Sequence, residues 1–271
     1  MPIVSIVGTK GGTGKSTVSM GIATWLAKLQ PKKWILLVDG DIHVRTVEFK
    51  MCPGTDVTLS DVLEGNATLE DAIYLCQLEA DGKPLYPKLA VLPAGGRFLP
   101  PMSGNPVEFI EKTKKRFDRM VGRLRKHFSY IVVDTPASMS FEHLILTAIA
   151  DGIVYVVTPN VDSIASTYQT AKGLEDFMGA KAIGVVINQV PQDADVAGWI
   201  AQASKIAPVL GTVPQDPAVD KAFRNDLPVV AADPSSAASQ AMERITQEIF
   251  AKRIKPTRLA AKFDRAMQKS T

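Results

Sequence analysis

The sequence predicts an α/β fold: a doubly wound, mainly parallel sheet with helices on both faces. Two observations support this prediction. Short apolar runs alternate with longer segments of helical pattern along most of the 271 residues, an order typical of parallel sheets. Most of these runs are apolar at nearly every position, as expected for strands that are covered on both faces. The predicted strands are Ile3 to Val7, Trp34 to Val38, Leu89 to Leu92, Tyr130 to Val133, Ile153 to Val157, Ala182 to Ile187 and Val209 to Val213.

Helical patterns fill the intervals between these strands. The predicted helices are Lys15 to Leu29, Leu59 to Leu63, Pro106 to Phe128, Phe141 to Ala150, Asp162 to Phe177, Asp195 to Lys205 and Ala237 to Ile254. Two segments rich in Gly and Pro, residues 81–87 and 95–106, are predicted surface loops. We find no internal repeat and no linker long enough to divide domains, so we predict one domain over residues 1–254 and a basic C-terminal tail over residues 255–271. In such a fold, ligands bind at the carboxyl ends of the strands.

Charge is unevenly distributed along the chain. The whole chain carries a formal charge of +3, but residues 249–271 contain seven basic residues and one acidic residue. The C-terminal segment therefore carries +6 and the rest of the chain carries −3. A mildly acidic body argues against a broad nucleic-acid-binding face and places any affinity for anionic surfaces at the C-terminus.

Several classes of protein do not fit the sequence. Cys52 and Cys76 show no metal-binding spacing and indicate free thiols in a reducing compartment. The sequence contains no run of 18 apolar residues, and its N-terminus lacks the basic region and apolar core of a signal peptide. We therefore expect a cytoplasmic protein whose contact with a membrane is at most peripheral.

A glycine-rich segment after the first predicted strand predicts a phosphate-binding loop. Residues 10–17 read Lys-Gly-Gly-Thr-Gly-Lys-Ser-Thr and supply the end of the motif G-x-x-x-x-G-K-[ST]. The match is incomplete, because Thr9 stands where the first glycine belongs. In such loops backbone N–H groups surround phosphates, the lysine neutralises β- and γ-phosphate charge, and the serine hydroxyl suits Mg²⁺. ATP and Mg²⁺ are the predicted ligands. The predicted nucleotide-binding residues of the loop are Gly11, Gly12, Thr13, Gly14, Lys15, Ser16 and Thr17.

The same loop carries a second lysine, Lys10. One short loop cannot easily direct two lysines at the same phosphates. Lys10 therefore either contacts a nucleotide that is held by a facing subunit or is an ordinary solvated lysine, a common environment for this residue type. The loop by itself leaves both interpretations open.

Two predicted strands end in carboxylates. Asp134 follows the apolar run that begins at Tyr130, and Asp39 and Asp41 follow Val38. An acid at a strand end beside the phosphate loop suits Mg²⁺, directly or through water, and one of the latter two aspartates can orient the attacking water. Helix capping and an Asp-Gly-Asp turn are the alternative uses of these residues.

Together these motifs resemble the MinD/ParA family of deviant Walker A ATPases, and most of all its MinD branch. The resemblance covers residues 1 to about 254 and rests on six segments in the order that the family has them. The segments are Lys10 to Lys15, Asp39 to Arg45, Leu63 to Ile73, Val91 to Ala94, Asp134 to Ala137 and Val213 to Asp216. The resemblance implies a P-loop NTPase fold of the SIMIBI type and an ATP-sandwich homodimer.

The resemblance also implies catalytic roles for three residues. Lys10 would be the signature lysine that reaches across the dimer to the other subunit's nucleotide, and Lys15 would act on the nucleotide of its own subunit. Asp41 would position the hydrolytic water.

Further positions match the family's ligand contacts. The implied surroundings of Mg²⁺ are Ser16, Asp39 and Asp134. Asn188, at the end of a predicted strand, matches the asparagine that recognises adenine, and its amide offers both a donor and an acceptor to the base edge. Pro214 and Asp216 would flank the base.

The C-terminus bears on the function within the family. Residues 249–254 read Ile-Phe-Ala-Lys-Arg-Ile, which is similar to the membrane-targeting helix of the MinD branch, and a basic amphipathic pattern continues to Lys269. The expected function is a slow, partner-stimulated ATPase that dimerises with ATP and binds the inner membrane surface through two such tails. It would position other proteins, at the cell division site or elsewhere, until hydrolysis releases it. Its activating or cargo partner is expected to dock at residues 41–48 and on the helix from Asp162.

Three alternatives differ in the surface or cofactor that they use. A ParA-like ATPase would bind nonspecific DNA to partition plasmids, chromosomes or other cargo. The iron–sulfur branch of the same fold needs paired cysteines, and the chain has no Cys-x-x-Cys. A dinucleotide-dependent oxidoreductase needs Gly-x-Gly-x-x-Gly after the first strand, where this chain has Gly-Lys-Ser instead.

Overall fold

The computed structural model describes residues 2–41, 44–95, 106–137, 141–251 and 254–256. The strands are β1 (Ile3–Val7), β2 (Ile35–Asp39), β3 (Tyr74–Leu75), β4 (Glu79–Ala80), β5 (Lys83–Pro84), β6 (Leu89–Leu92), β7 (Tyr130–Asp134), β8 (Gly152–Val157), β9 (Ala182–Val190) and β10 (Val209–Pro214). The helices are α1 (Lys15–Leu29), α2 (Thr46–Met51), α3 (Leu59–Glu64), α4 (Pro106–His127), α5 (Phe141–Ala148), α6 (Val161–Met178), α7 (Ala197–Ala203), α8 (Pro217–Arg224), α9 (Val229–Ala232) and α10 (Ala237–Ala251).

Eight strands form one sheet in the order β10-β9-β8-β1-β7-β2-β6-β3. All neighbouring pairs are parallel except β3 with β6, and β4 pairs with β5 in a separate antiparallel hairpin. The seven predicted strands are the seven parallel strands of this sheet, which confirms the predicted fold class. Since β1, β2 and β7 are central neighbours, the phosphate loop and the three strand-end aspartates meet at one edge of the sheet.

Helices cover both faces of the sheet, and the sheet separates the core into two clusters. Along β1, Val4 and Ile6 belong to one cluster while Ile3 and Val7 belong to the other, as the alternation of side chains along a strand requires. The first cluster packs under α1 and α10, and the second packs under α4, α5 and α6. Both faces of the strands are thus buried, which explains why the strands are continuous apolar runs.

Several short elements were not predicted from the sequence. They are α2, α8, α9, β3, β4 and β5, and the last two lie in or beside the predicted loop 81–87. Each is between two and eight residues long, too short for a hydrophobic period to be visible. Predicted loop residues 96–105 lie outside the described part of the chain. Within the described residues, none of the helices has the length and apolar character needed to cross a membrane.

The last helix is described as far as Ala251, and Ile254, its predicted last residue, is not helical. Ile249 is buried, and the ring of Phe250 packs edge-on against Tyr130 with 5.1 Å between ring centroids. Ile254 packs partly buried against the same core cluster. The apolar side chains at the start of the predicted membrane-binding segment are therefore in contact with the domain. Most of that prediction falls on residues 252–253 and 257–271, which lie outside the described residues.

Candidate nucleotide-binding site

The phosphate loop leaves the carboxyl end of β1 and enters α1 through Gly14, whose φ of 84° lies in the left-handed region. Two neighbouring side chains of β9 hold the loop from its other side. Asn188 donates its Nδ2–H to the carbonyl oxygen of Thr13 at 2.8 Å, and Gln189 donates its Nε2–H to the carbonyl oxygen of Gly12 at 2.8 Å. The loop is thus hydrogen-bonded to the sheet through main-chain carbonyl oxygens, which leaves its N–H groups as the donors for a phosphate.

Lys15 lies inside the loop and is buried. Its Nζ donates to the carbonyl oxygen of Lys10 at 3.4 Å, and its aliphatic chain packs closely beside Gly8, where a Cβ would lie 3.0 Å from two of its carbons. Burial lowers the pKa of Lys15, while the nearby carboxylates of Asp134 and Asp41 act in the opposite direction. A desolvated ammonium group of this kind gains from the arrival of a phosphate anion, as the sequence predicted for Lys15.

Lys10 occupies a different environment from Lys15, although it belongs to the same loop. Its side chain is 49% exposed, and its Nζ lies 3.8 Å from Oδ2 of Asp162, which is itself 80% exposed at the start of α6. The structure therefore places the two lysines in different environments, and the exposed position of Lys10 fits both interpretations given above. Thr9, in the position of the missing glycine, shares hydroxyl hydrogen bonds with Ser166 at 2.9 Å and Thr167 at 3.1 Å, which join the loop to α6.

The predicted Mg²⁺ ligands lie beside the loop. Ser16 donates its hydroxyl to Oδ2 of Asp134 at 2.6 Å, and Ser19 donates its hydroxyl to Oδ1 of the same carboxyl at 2.9 Å. Burial raises the pKa of Asp134 to about 6, although these hydrogen bonds and Lys15 favour its ionised form. Asp39 is paired with Asp134 in the register of β2 and β7, and burial together with the Asp134 charge raises the pKa of Asp39 well above its usual range.

These side chains fit a Mg²⁺ ion that is shared with phosphates. Burial disfavours the ionised form of both carboxyl groups, a divalent ion favours that form, and oxygen atoms are its preferred ligands. The described residues hold no group of three or more His, Cys, Asp or Glu side chains suited to bind a metal on their own. A few protein ligands are sufficient where substrate phosphates and water complete an octahedral Mg²⁺ site. Ser16, Asp39 and Asp134 are the residues that would hold the ion.

Asp41 follows β2 and connects the acid pair to α2. Its N–H donates to Oδ1 of Asp39 at 3.1 Å, and its Oδ1 accepts the N–H of Val44 at 3.1 Å. The other oxygen of Asp39 accepts the N–H of Glu48 on α2 at 3.2 Å. Glu48 is buried and binds Arg45 through both carboxylate oxygens. The carboxyl of Asp39 therefore fixes both the Asp41 turn and the first turn of α2.

A cavity of about 760 Å³ opens from the loop along the end of β10. Asn188, Pro214 and Asp216, the predicted base contacts, all line it, together with Gly14 and Thr17 of the loop region. The volume falls within the usual range of ligand pockets. Asp216 has a structural role that was not predicted: its carboxylate accepts the N–H of Ala218 in α8 and of Ala238 in α10, each at 2.9 Å. Its position beside the base remains a prediction.

Sequence reasoning missed three residues of this site. Ser19 lies one helical turn after Lys15, and its place as a polar residue on a buried stretch of α1 was the available signal. Gln189 has a φ of 60°, rare for a residue with a side chain, and nothing local in the sequence indicates it. Glu48 gives no clear signal in the sequence beyond its basic neighbour Arg45, because its contact with Asp39 joins two separate elements.

Comparison with known proteins agrees with this geometry. Residues 4–229 match the family described as the CobQ/CobB/MinD/ParA nucleotide-binding domain. The chain belongs to this family. An uncharacterized ATP-binding protein of Methanocaldococcus jannaschii is 33% identical over 91% of this chain and 87% of its own length. The septum site-determining protein MinD of Helicobacter pylori is 27% identical over 96% and 94%.

A solved structure of a MinD/ParA-family member gives the same result. The cell division ATPase MinD of Pyrococcus furiosus superposes with a TM-score of 0.74 at 26% identity, covering 92% of this chain and 98% of that protein. The family resemblance that the motifs predicted is therefore confirmed. As a MinD/ParA-family domain, the chain has a nucleotide-binding fold. Its phosphate loop and acid pair lie at the carboxyl edge of the sheet, and Gly14 and Thr17 of the loop region line the cavity.

Proposed function

We propose that the protein is a Mg²⁺-dependent ATPase that forms an ATP-sandwich homodimer and organises other proteins in space until hydrolysis separates the subunits. Hydrolysis would be slow and stimulated by a partner. The phosphate loop, the buried Lys15 and the pair Asp39 and Asp134 support ATP and Mg²⁺ as ligands. Asp41, next to this pair and hydrogen-bonded to it, would position the attacking water.

One observation carries the proposal of a dimer: the outward position of Lys10. A lysine needed only by its own subunit's phosphates would lie inside the loop, as Lys15 does. Lys10 instead rests against Asp162, an exposed carboxylate 3.8 Å away. An exposed ion pair of this kind contributes little stability, so it is readily exchanged for a phosphate of a facing subunit.

Sedimentation velocity with ATP tests this proposal. Asp41→Ala should bind ATP, hydrolyse little of it and accumulate as a dimer, whereas Asp41→Ala combined with Lys10→Ala should remain a monomer. The matched control is Asp41→Ala with Lys172→Ala, which removes an exposed lysine from α6 and should leave the dimer unchanged. A dimer that forms equally well without the Lys10 ammonium group would refute the role of this residue.

The expected surface for the activating or cargo partner is supported by three exposed apolar side chains. Val44 and Phe49 flank the start of α2 and are 61% and 60% exposed, and Val161, the first residue of α6, is 58% exposed. Val44 lies in the expected docking segment 41–48, whereas Phe49 and Val161 each lie one residue outside the two segments where a partner was expected to dock. We propose that a partner covering them would act on Asp41 and Lys10. Asp41 accepts the N–H of Val44, and Lys10 lies against Asp162, the residue after Val161.

We also propose a cytoplasmic location, peripheral to the inner face of the cell membrane, with the basic C-terminal tail as the contact. A dimer would present two tails, and their combined affinity can exceed that of one tail by about 10² to 10⁴. The alternative, nonspecific DNA as the bound surface, is favoured by the packing of Ile249, Phe250 and Ile254 against the domain. These contacts remove three apolar groups from the proposed membrane helix and leave its remaining part strongly basic.

Co-sedimentation separates the two surfaces. The protein is mixed with anionic liposomes or with plasmid DNA, each with ATP and with ADP, at two salt concentrations. ATP-dependent recruitment to liposomes supports the membrane proposal. DNA binding that weakens steeply with salt, without liposome recruitment, supports the alternative.

A further inference from the structure

The helix α4 concentrates positive charge on a chain whose body is acidic. Residues 106–127 contain eight basic and three acidic residues, a net charge of +5. Residues 1–248 as a whole carry −3, so the body without α4 carries −8. This helix packs on the sheet face whose core cluster contains Ile3 and Val7, whereas Met242, which lines the nucleotide cavity, belongs to the cluster on the other face. The function proposed above makes no use of α4.

Six of the eight basic residues of α4 form one stripe. The residues of the stripe are Lys112, Lys115, Arg116, Arg119, Arg123 and Lys126, all of them exposed. They recur every three or four residues, which places them on one side of the helix over about 21 Å. The opposite side carries Phe117 and Leu124, both buried in the core. The stripe is therefore held in place by a packed helix face rather than by a loop.

Beside the stripe lies a cavity of about 400 Å³ between α3, the loop after it and α4. We name it the α3–α4 groove; it is formed by Leu63, Leu69, Arg116, Arg119, Met120 and Arg123. Its floor is apolar, since Leu63, Leu69 and Met120 are buried core residues at its base. Its rim carries the three guanidinium groups. An apolar floor with a cationic rim suits a ligand that is both apolar and acidic.

The chain already places one carboxylate on this rim. Glu70 accepts a hydrogen bond from Nη2 of Arg123 at 2.6 Å, and both side chains are more than half exposed. Arg116 donates from Nη1 to the carbonyl oxygen of Leu63 at 2.5 Å, and Arg119 donates from Nε to the carbonyl oxygen of Lys115 at 3.3 Å. Each guanidinium carries five N–H donors, so these contacts orient the arginines and use only part of their donor capacity.

We propose that the α3–α4 groove binds an acidic segment of a partner protein that also carries an apolar side chain. The acidic groups would pair with the stripe, and the apolar side chain would enter the groove between Leu69 and Met120. A phosphate backbone has no apolar group to fill such a floor. A membrane surface would require exposed apolar side chains on α4, and none of its described side chains is a large exposed apolar one. The site adds a partner-binding surface to the proposed function and does not depend on the nucleotide cycle.

Fluorescence anisotropy on the full chain tests the proposal with a defined probe. The probe is a fluorescein-labelled peptide of glutamates with leucine at every fourth position, compared with a peptide in which serine replaces leucine and with a duplex DNA of equal charge. The wild type should bind the leucine-containing peptide most tightly, and binding should weaken as salt rises. Arg119→Glu with Arg123→Glu should weaken it by about tenfold or more, because each arginine contributes a charge-assisted hydrogen bond.

The matched control is Lys172→Glu with Arg244→Glu, the same charge change on exposed residues of α6 and α10. It should bind the peptide like the wild type. Both double variants should keep their thermal stability and their ATP affinity, which separates this test from that of the nucleotide site. Unchanged affinity in the α4 variant, equal binding of the serine peptide, preference for DNA, or no peptide binding up to about 1 mM would each overturn the proposal.

Discussion

Replacing Gly14 by alanine tests the geometry of the phosphate loop most directly. Gly14 has a φ of 84°, and a Cβ placed on it would lie 2.1 Å from Nδ2 of Asn188. That same Nδ2 donates the hydrogen bond to Thr13 that ties the loop to β9. The substitution therefore strains the backbone at the start of α1 and displaces Asn188 from its partner.

The cost follows from these two effects. An alanine in the left-handed region is less favourable by roughly 1–2 kcal/mol. Loss of a buried hydrogen bond adds about 1 kcal/mol. We therefore expect Gly14→Ala to lower the free energy of unfolding by about 2–3 kcal/mol, which in a domain of this size lowers Tm by about 5–10 °C.

Gly11→Ala is the matched control, because Gly11 lies in the same loop, is exposed, does not have a left-handed φ, and would place its Cβ in open space. Restricting the unfolded chain should leave Tm unchanged or raise it slightly in this variant. Calorimetry of both nucleotide-free variants measures the difference. If the two variants unfold at the same temperature, the loop does not have the geometry described above.

Three further predictions concern the site and the tail. Lys15→Ala should abolish ATP binding measured by calorimetry, because it removes the buried ammonium group; undiminished affinity would show that the loop is assigned to the wrong ligand. Burial raises the pKa of Asp134 to about 6 from 3.8, so the folded nucleotide-free protein binds this proton more tightly than the unfolded chain, and its stability should fall as pH rises from about 4 to about 6. Asp134→Asn should flatten that part of the pH profile in urea denaturation, and an unchanged profile would contradict the assignment. Truncation after Pro256 should keep ATP binding and lose ATP-dependent liposome recruitment, and recruitment that survives it would refute the membrane role of the tail. Truncation after Glu248 should also destabilise the fold by about 2 kcal/mol or more, because it removes the buried Ile249.

The parallel sheet and the loop could be predicted because their signals are local. Each parallel strand is buried on both sides, so its apolar character appears directly in the sequence, as in β1 and β8. The phosphate loop needs glycines, a lysine and a serine at fixed spacing, and those residues are adjacent in the chain. For the same reason Asp39 and Asp134 could be placed at one sheet edge before their contacts were known.

The remaining parts depend on contacts between distant segments. The helix α2 has six residues, of which Val47 and Met51 enter the core, and so short a pattern does not distinguish a helix from a turn. The contact of Glu48 with Asp39 depends on where that helix packs. The left-handed backbone at Gln189 is likewise fixed by its neighbours, since its side chain must reach the loop at Gly12.

Asp216 has a mechanical consequence for the end of the chain. One carboxyl group caps the N-termini of both α8 and α10, one oxygen for each helix, and the same residue lines the nucleotide cavity. While both bonds hold, neither helix can rotate about its first turn without drawing the other with it. The first turns of the two helices are therefore coupled through one side chain that also lines the cavity.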